Sequence, residues 1–375
     1  MSIRLTIQAS SREAPNSSTK LELPQDLRRR KLTDGLLRRE RRVSKMTTIQ
    51  VDFLEAGSGP PVMLVHSSVS GARQWLGLMD DLKSHFQVRA VNLFGYGKTP
   101  PWPAETRQSL TDQARLVEDA LPAGADEICL VGHSFGGVVA MKVAARLSGR
   151  VARLVLLEPI PFHLLAQAGR VDAFAEAMNL CNIVKKYGAV GEWAMAAEKF
   201  ADYWTGAGTW REMSPDRRLA FSEALKPNLF EWDAVMDDTT PVEEWAAVLP
   251  RATLLAFDPV GVSPTREIAA ILQRFCPGWT FAEVCGAGHM APITRSDLIN
   301  PLICFRSTAR CPRPCAQGPG PFQEDRKSFG GRYRGFRRSS PRPKPASIAC
   351  HSSFALALGF ECGENIRNAT RPRAE

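Results

Sequence analysis

No apolar run in the 375 residues approaches the roughly 18–20 that a membrane-spanning helix needs. Runs such as residues 128–131 and 154–157 have the length of strands. The N-terminus lacks an apolar core followed by a small-residue cleavage site, so a secretory leader is not read there and a cytoplasmic location is expected. Paired cysteines are lacking too. There are nine cysteines, none in a C-x-x-C arrangement, and five fall after residue 300. That spacing argues against a disulfide framework or a zinc site. Cys129, inside an apolar stretch, reads as a small buried hydrophobe. Histidine is scarce, with only six in the chain, which leaves few candidates for a general base.

A net positive charge is absent from the middle of the chain. The formal net charge is +9, but residues 1–45 hold 12 basic and 5 acidic residues, and residues 301–375 hold 14 and 5. Residues 46–300 therefore carry 22 basic and 29 acidic residues, a net of −7. A nucleic-acid footprint belongs on a folded basic surface, and this interior is acidic. No nucleic acid or membrane partner is expected, only a small-molecule substrate. Residues 1–45 read as a basic non-globular arm, with Met46 as the expected start of the folded unit. After residue 300 the chain becomes rich in Pro, Gly, Arg and Ser without apolar periodicity, and residues 301–375 are expected to be a disordered tail.

Between these ends, strand and helix alternate. An alternating segment spans 47–54, and buried strands are read at 62–65, 88–91, 127–131, 154–157, 253–257 and 280–284. Helical spacing appears at 76–82, 110–120, 138–147 and 267–275, with only 296–305 available for a last helix. This order predicts an α/β fold, a mostly parallel central sheet with helices on both faces. Residues 160–245 break the pattern, being largely helical, and read as an inserted helical cap. The core is then 46–159 with 246–300.

One motif carries chemistry. Gly132-His133-Ser134-Phe135-Gly136 matches G-x-S-x-G, with an apolar strand running in and a helix running out. Such a strand-to-helix turn projects the serine hydroxyl from the top of the sheet and aims a helix N-terminus at it. A serine hydroxyl is a weak nucleophile and needs an imidazole to take its proton. His289, in Gly286-Ala287-Gly288-His289, follows the last strand and is the predicted base. His133 lies within the turn and is expected to point elsewhere; His85 precedes a strand on the far edge.

Together with Leu64-Val65-His66 and Asn92-Leu93-Phe94-Gly95-Tyr96-Gly97, these segments resemble the α/β-hydrolase superfamily in order and separation, across about residues 47–300. The resemblance implies a cofactor-free serine hydrolase with an acyl-enzyme intermediate, no metal, and a cap that roofs the substrate pocket. Two departures stand out: His66-Ser67 where relatives usually have His-Gly, and Asn92 where they usually have a structural Asp. Serine at 134 argues against the haloalkane dehalogenase branch, which has Asp there.

The chain order of the fold is nucleophile, acid, histidine. Asp258 follows the strand 253–257 and is the predicted acid, although it could instead cap the Asp-Pro turn. Glu158, which ends the strand after the elbow, is the alternative. Oxyanion donors are expected from the backbone of Phe135 and of the loop after 62–65, at Ser67 and Ser68. Of the cap aromatics Phe200, Tyr203, Trp204, Trp210, Phe230 and Trp232, the residues Trp204, Trp210 and Trp232 are predicted to bind substrate; the rings could equally be the cap's own core. The expected substrate is a small, largely apolar ester, lactone, thioester or carbon–carbon bond compound. An acyltransferase or perhydrolase on the same triad, and a triad-bearing binding protein without activity, are the competing readings.

Overall fold

The computed structural model describes residues 49–303. The basic arm at 1–45, the start at Met46 and all of the tail read at 301–375 except its first three residues lie outside the described residues; residues 301–303 are not disordered but complete the last helix of the fold. The chain divides into Met1–Ile49 and Gln50–Glu375, and the sheet and its helices belong to the second unit.

Seven strands form one sheet: β1 (Phe53–Ala56), β2 (Pro61–Val65), β3 (Gln87–Val91), β4 (Ile128–His133), β5 (Val151–Leu157), β6 (Thr253–Phe257) and β7 (Thr280–Glu283). Their order is β1-β3-β2-β4-β5-β6-β7. The edge strand β1 pairs antiparallel with β3, and every other pairing is parallel. A parallel sheet is covered on both faces, so its central strands are apolar throughout instead of alternating. Every residue of β4 and β6 is buried accordingly. The strand expected at 47–54 begins only at Phe53. Asp52 is already turned to other work: its carbonyl accepts from the Asn92 amide, and its carboxylate accepts from Asn92 Nδ2 and the Lys98 amide.

The helices α1 (Leu76–Leu82), α2 (Leu110–Asp119) and α3 (Phe135–Arg146) alternate with the first strands. Ser109 and Asp112 form a reciprocal capping box at the start of α2, a device that contributes on the order of 1 kcal/mol. Helix α3 starts three residues earlier than its apolar spacing indicates, because Gly136 and Gly137 hide its first turn. On one face of the sheet, Val62, Leu64, Trp75, Leu78, Val88 and Val131 share a buried core. Each such side chain contributes about 1.5–3 kcal/mol by leaving water.

Seven helices lie between β5 and β6: α4 (His163–Gln167), α5 (Val171–Gly188), α6 (Trp193–Thr205), α7 (Thr209–Glu212), α8 (Pro215–Ala224), α9 (Asn228–Met236) and α10 (Val242–Val248). This is the all-helical excursion read at 160–245. Helix α11 (Ser263–Phe275) begins four residues before the expected 267, with Pro264 in its first turn, a position where a missing N–H costs nothing. Two short helices, α12 (Ala291–Thr294) and α13 (Ser296–Ile303), follow β7. Among the described residues no helix is long and apolar enough to cross a membrane.

Candidate active site

Four polar residues stand at the carboxyl ends of neighbouring strands or just beyond them: Ser134 after β4, Glu158 after β5, Asp258 after β6 and His289 after β7. This is where ligands gather in open α/β sheets. Ser134 has φ +55° and ψ −118°, backbone that a side-chain-bearing residue rarely adopts. The sheet and helix hold it there. Its amide donates to the Leu157 carbonyl at 2.9 Å, and its own carbonyl accepts from the Gly137 amide at 2.9 Å. Glycine is required on either side by close approach. A Cβ on Gly136 would stand 2.3 Å from the His66 carbonyl oxygen, and one on Gly132 would stand 2.3 Å from that of Gly136.

His289 bridges the serine and a carboxylate. Its Nε2 lies 2.9 Å from Ser134 Oγ, and its Nδ1 lies 2.6 Å from Glu158 Oε2. With Nδ1–H donating to Glu158, Nε2 is left to accept from the serine hydroxyl, the tautomer that nucleophile activation needs. The partner of His289 is therefore Glu158, where the sequence pointed first to Asp258. Both oxygens of Asp258 are engaged by backbone amides: Oδ1 accepts from Val260 and Gly286 at 3.0 Å each, and Oδ2 from Gly288 at 2.8 Å. Asp258 thus fastens the loop that carries His289. Its own amide donates to Glu158 Oε1 at 2.9 Å. Glu158 reaches the imidazole from a φ of +43°, a conformation that costs roughly 1–2 kcal/mol.

His133 does point away from the serine, and it has a task that sequence spacing did not reveal. Gln74 Nε2 donates to its Nδ1 at 3.1 Å, and its Nε2–H donates to the His289 carbonyl at 2.8 Å. Gln74 Oε1 accepts from the amide and the hydroxyl of Ser67. A buried chain of hydrogen bonds therefore links the loop after β2 to the backbone of His289. Burial, reinforced by the neighbouring His289, holds the His133 imidazole well below its ordinary pKa. His66 is similar: burial lowers it to about 4. Its Nε2 accepts from the Leu93 amide, and its Nδ1–H donates to the Ser67 carbonyl.

That network sorts the predicted oxyanion donors. The Ser67 amide is committed to Gln74 and the Val69 amide to the Tyr96 hydroxyl. Ser68 is the residue of the loop that lines the small cavity together with Ser134 and Phe135. Phe135 opens α3, so its N–H lacks an intrahelical acceptor. Val69 holds φ +71°, where a β-branched residue is an outlier. Asn92 takes over the structural work expected of an Asp, accepting from the Ala72 amide and donating to Asp52.

The three tryptophans separate. Trp204 stacks on the His289 ring, centroids 3.9 Å apart. Trp232 stacks on Phe162 at 5.5 Å and lines the small cavity. Trp210 does neither: it packs edge-on against Phe221 under Arg218, within the helical insertion, and lines no cavity at the serine or histidine. The small cavity holds about 20 Å³, roughly one water. A second cavity of about 570 Å³ lies along His289, Met290, Tyr203 and Thr209. Trp204 forms a wall of both. Ser134 and His289 are only 4% and 6% exposed beneath it. Glu231, unforeseen in the sequence, is buried beside Ser68; the i, i+3, i+4 spacing of Asn228, Glu231 and Trp232 was the available signal. No group of three or more His, Cys, Asp or Glu among the described residues is placed to hold a metal ion.

Comparison with known proteins agrees with this architecture. Over 146 residues the chain is 34% identical to a 2-hydroxymuconate semialdehyde hydrolase of Pseudomonas sp. (strain CF600), which covers 36% of this chain and 51% of that protein. It is 35% identical over 114 residues to a 2-hydroxy-6-oxo-2,4-heptadienoate hydrolase of Pseudomonas putida (strain F1), covering 29% and 41%. The matched segments thus span about half the length of these curated relatives or less. An enol-lactonase from Burkholderia xenovorans LB400 shares the fold with a TM-score of 0.53 at 16% identity, over 68% of this chain and 97% of that one. A family model described as "Alpha/beta hydrolase family" matches residues 62–301, from β2 into α13 and more than half of the chain. With the strand order, the elbow and that match in agreement, the chain belongs to the alpha/beta hydrolase family.

Proposed function

We propose that the protein is a serine hydrolase that works through an acyl-enzyme, with Ser134 as nucleophile, His289 as general base and acid, and Glu158 as the carboxylate that orients His289. One observation carries the reading: a single imidazole lies 2.9 Å from the serine oxygen and 2.6 Å from a buried carboxylate. Ser134 Oγ attacks the carbonyl carbon of the substrate while Nε2 takes its proton. The oxyanion is held by the Phe135 and Ser68 amides, each worth about 3–4 kcal/mol in the transition state. His289 then returns the proton to the leaving atom, and water, activated by the same imidazole, releases the acid.

His289 faces the cavity of about 570 Å³ and Ser134 the small one. The leaving group, which takes its proton from His289, therefore departs into the large cavity, and the acyl part sits in the small chamber. The large cavity exposes mostly apolar surface between Tyr203, Trp204 and Met213. A small, largely apolar ester, lactone, thioester or carbon–carbon bond substrate fits it.

A fluorophosphonate probe tests the reading. It should modify the peptide that carries Ser134, and Ser134→Ala should abolish both the label and the turnover of short nitrophenyl esters. Labelling elsewhere, or more than a few per cent residual turnover, would overturn the assignment.

A further inference from the structure

The chamber beside Ser134 holds polar chemistry that the triad does not use. Helix α9 presents Asn228, Glu231, Trp232 and Val235 to it, positions i, i+3, i+4 and i+7 of one face. Glu231 is 1% exposed. Its Oε2 accepts from Ser68 Oγ at 2.5 Å and from Asn228 Nδ2 at 2.8 Å, and its Oε1 accepts from the Tyr96 hydroxyl at 2.9 Å. Each of these is a neutral donor. A buried carboxylate held this way repels a second negative charge in the same chamber. Burial also pushes the Glu231 carboxyl above its ordinary pKa, the direction expected where no cation compensates it.

Two further atoms of the same face are unfinished. Asn228 Oδ1 and Trp232 Nε1 are buried without a hydrogen-bond partner. The amide orientation of Asn228 is set by its two acceptors, Ser68 Oγ and Glu231 Oε2, so its oxygen is the free end. A buried polar atom left unpaired costs about 1–3 kcal/mol. One is an acceptor and the other a donor, on adjacent turns of one helix. A hydroxyl can donate to the first and accept from the second, both residues line the chamber, and the chamber has room for a group of about that size.

We propose that this face of α9 recognises the acyl part of the substrate, accepting a short uncharged acyl group that bears a hydroxyl and rejecting one that bears a carboxylate. The proposal rests on Ser134 as nucleophile and on the acyl part lying in the small chamber. The hydroxyl donates to Asn228 Oδ1 and accepts from Trp232 Nε1–H. Glu231 sets the charge preference and, through Ser68 and Tyr96, the position of the oxyanion loop.

The test compares kcat/KM of the full chain on 1-naphthyl acetate, glycolate, propionate and the oxalate half-ester, which share one leaving group and have acyl parts short enough for the chamber. Glycolate should exceed acetate by about tenfold or more, since a site built to pair a hydroxyl discriminates strongly against its absence. Propionate and the oxalate half-ester match glycolate in length and differ in charge, and propionate, with each ester taken relative to its uncatalysed hydrolysis, should exceed the oxalate by about 100-fold. Trp232→Phe keeps the ring and removes the donor, and should reduce the glycolate-to-acetate ratio to near one. Glu231→Gln should reduce the propionate-to-oxalate ratio by at least about tenfold. These are ratios within one protein, so partial loss of folded material leaves them unchanged. If Glu231→Gln is insoluble, the Trp232→Phe ratio decides alone. Equal rates on glycolate and acetate, or ratios that neither variant moves, would overturn the proposal while leaving the hydrolase reading intact. Failure to hydrolyse any of the four esters, with Ser134 unlabelled by fluorophosphonate, would instead overturn the hydrolase reading.

Discussion

The backbone amide of Asp258 donates to Glu158 Oε1 at 2.9 Å, while the other oxygen of Glu158 accepts from His289. The two strand-end acids are thus in series. Asp258 steadies both the loop that carries the imidazole and the carboxylate that orients it.

Their substitutions should differ in kind. Glu158→Gln leaves a group that can present its amide to Nδ1 and favour the wrong tautomer, so kcat should fall by about 10⁴-fold with the fold intact. Asp258→Asn turns one of the two acceptor oxygens into an NH2 group, so at least one of the three backbone amides held by the carboxylate loses its acceptor and faces a donor. It should cost about 1–3 kcal/mol, and in a domain of this size Tm should drop by about 2–4 °C for each of them. Rates at saturating substrate, set beside thermal melts, separate the two. A larger loss of kcat in Asp258→Asn with an unchanged Tm would reverse the roles of the two acids.

Most of the frame was legible in the sequence. Parallel strands buried on both faces must be apolar throughout, and the strand 253–257 and the helix 76–82 were read to the residue. Ser134 and His289 stood out as candidates because G-x-S-x-G between strand and helix, and a histidine after the last strand, are set by local chain direction. The choice between Glu158 and Asp258 was not local. Each ends a neighbouring strand, and which one reaches the imidazole depends on a left-handed φ at Glu158 and on amides contributed from residues 260–288. Trp204 and Trp210 are six residues apart on successive helices of one insertion, yet only Trp204 lies against the histidine. Tertiary packing alone decides that.

The serine and the histidine should act as one unit. Ser134→Ala and His289→Ala should each remove nearly all turnover, and the double variant should be little worse than either, because losses within one catalytic group do not add. Steady-state rates of the three proteins check this. A double variant far below both singles would mean that the two residues work apart.

Stability should fall on mild acidification. His66 is buried and neutral, with a pKa of about 4 in the folded protein against about 6.5 in an unfolded chain. A group with a depressed folded pKa binds more protons when unfolded, so its contribution is intact above about pH 6.5 and is lost as pH falls toward 4. Between pH 6.5 and 5 that amounts to about 2 kcal/mol for His66, and His133 shifts in the same direction through burial. Most carboxylates remain ionised across that interval. Urea denaturation midpoints at pH 7.0, 6.0 and 5.0 should therefore decline steadily. A flat midpoint over this range would mean that these rings are hydrated or paired when charged.

Trp204 should govern access to the serine. Its ring lies on the imidazole at 3.9 Å and walls both the small chamber and the large cavity. With Ser134 and His289 almost wholly covered, a bulky reagent reaches the nucleophile only if that ring moves. Trp204→Ala joins the two spaces. It should raise the second-order rate at which a large aryl phosphonate labels Ser134 by about tenfold, while stability drops by about 3–5 kcal/mol through the lost packing. Turnover of a short ester should fall in the same variant, because an imidazole without its stacking partner samples more orientations and water enters the site. Trp204→Phe keeps an aromatic face on the ring and should lie between the two proteins in both assays. Labelling by small and bulky phosphonates, measured side by side, reads out access directly. Equal labelling rates for the bulky reagent in the parent protein and in Trp204→Ala would show that the substrate enters by another route, and Trp204 would then be left with the single role of packing against the base.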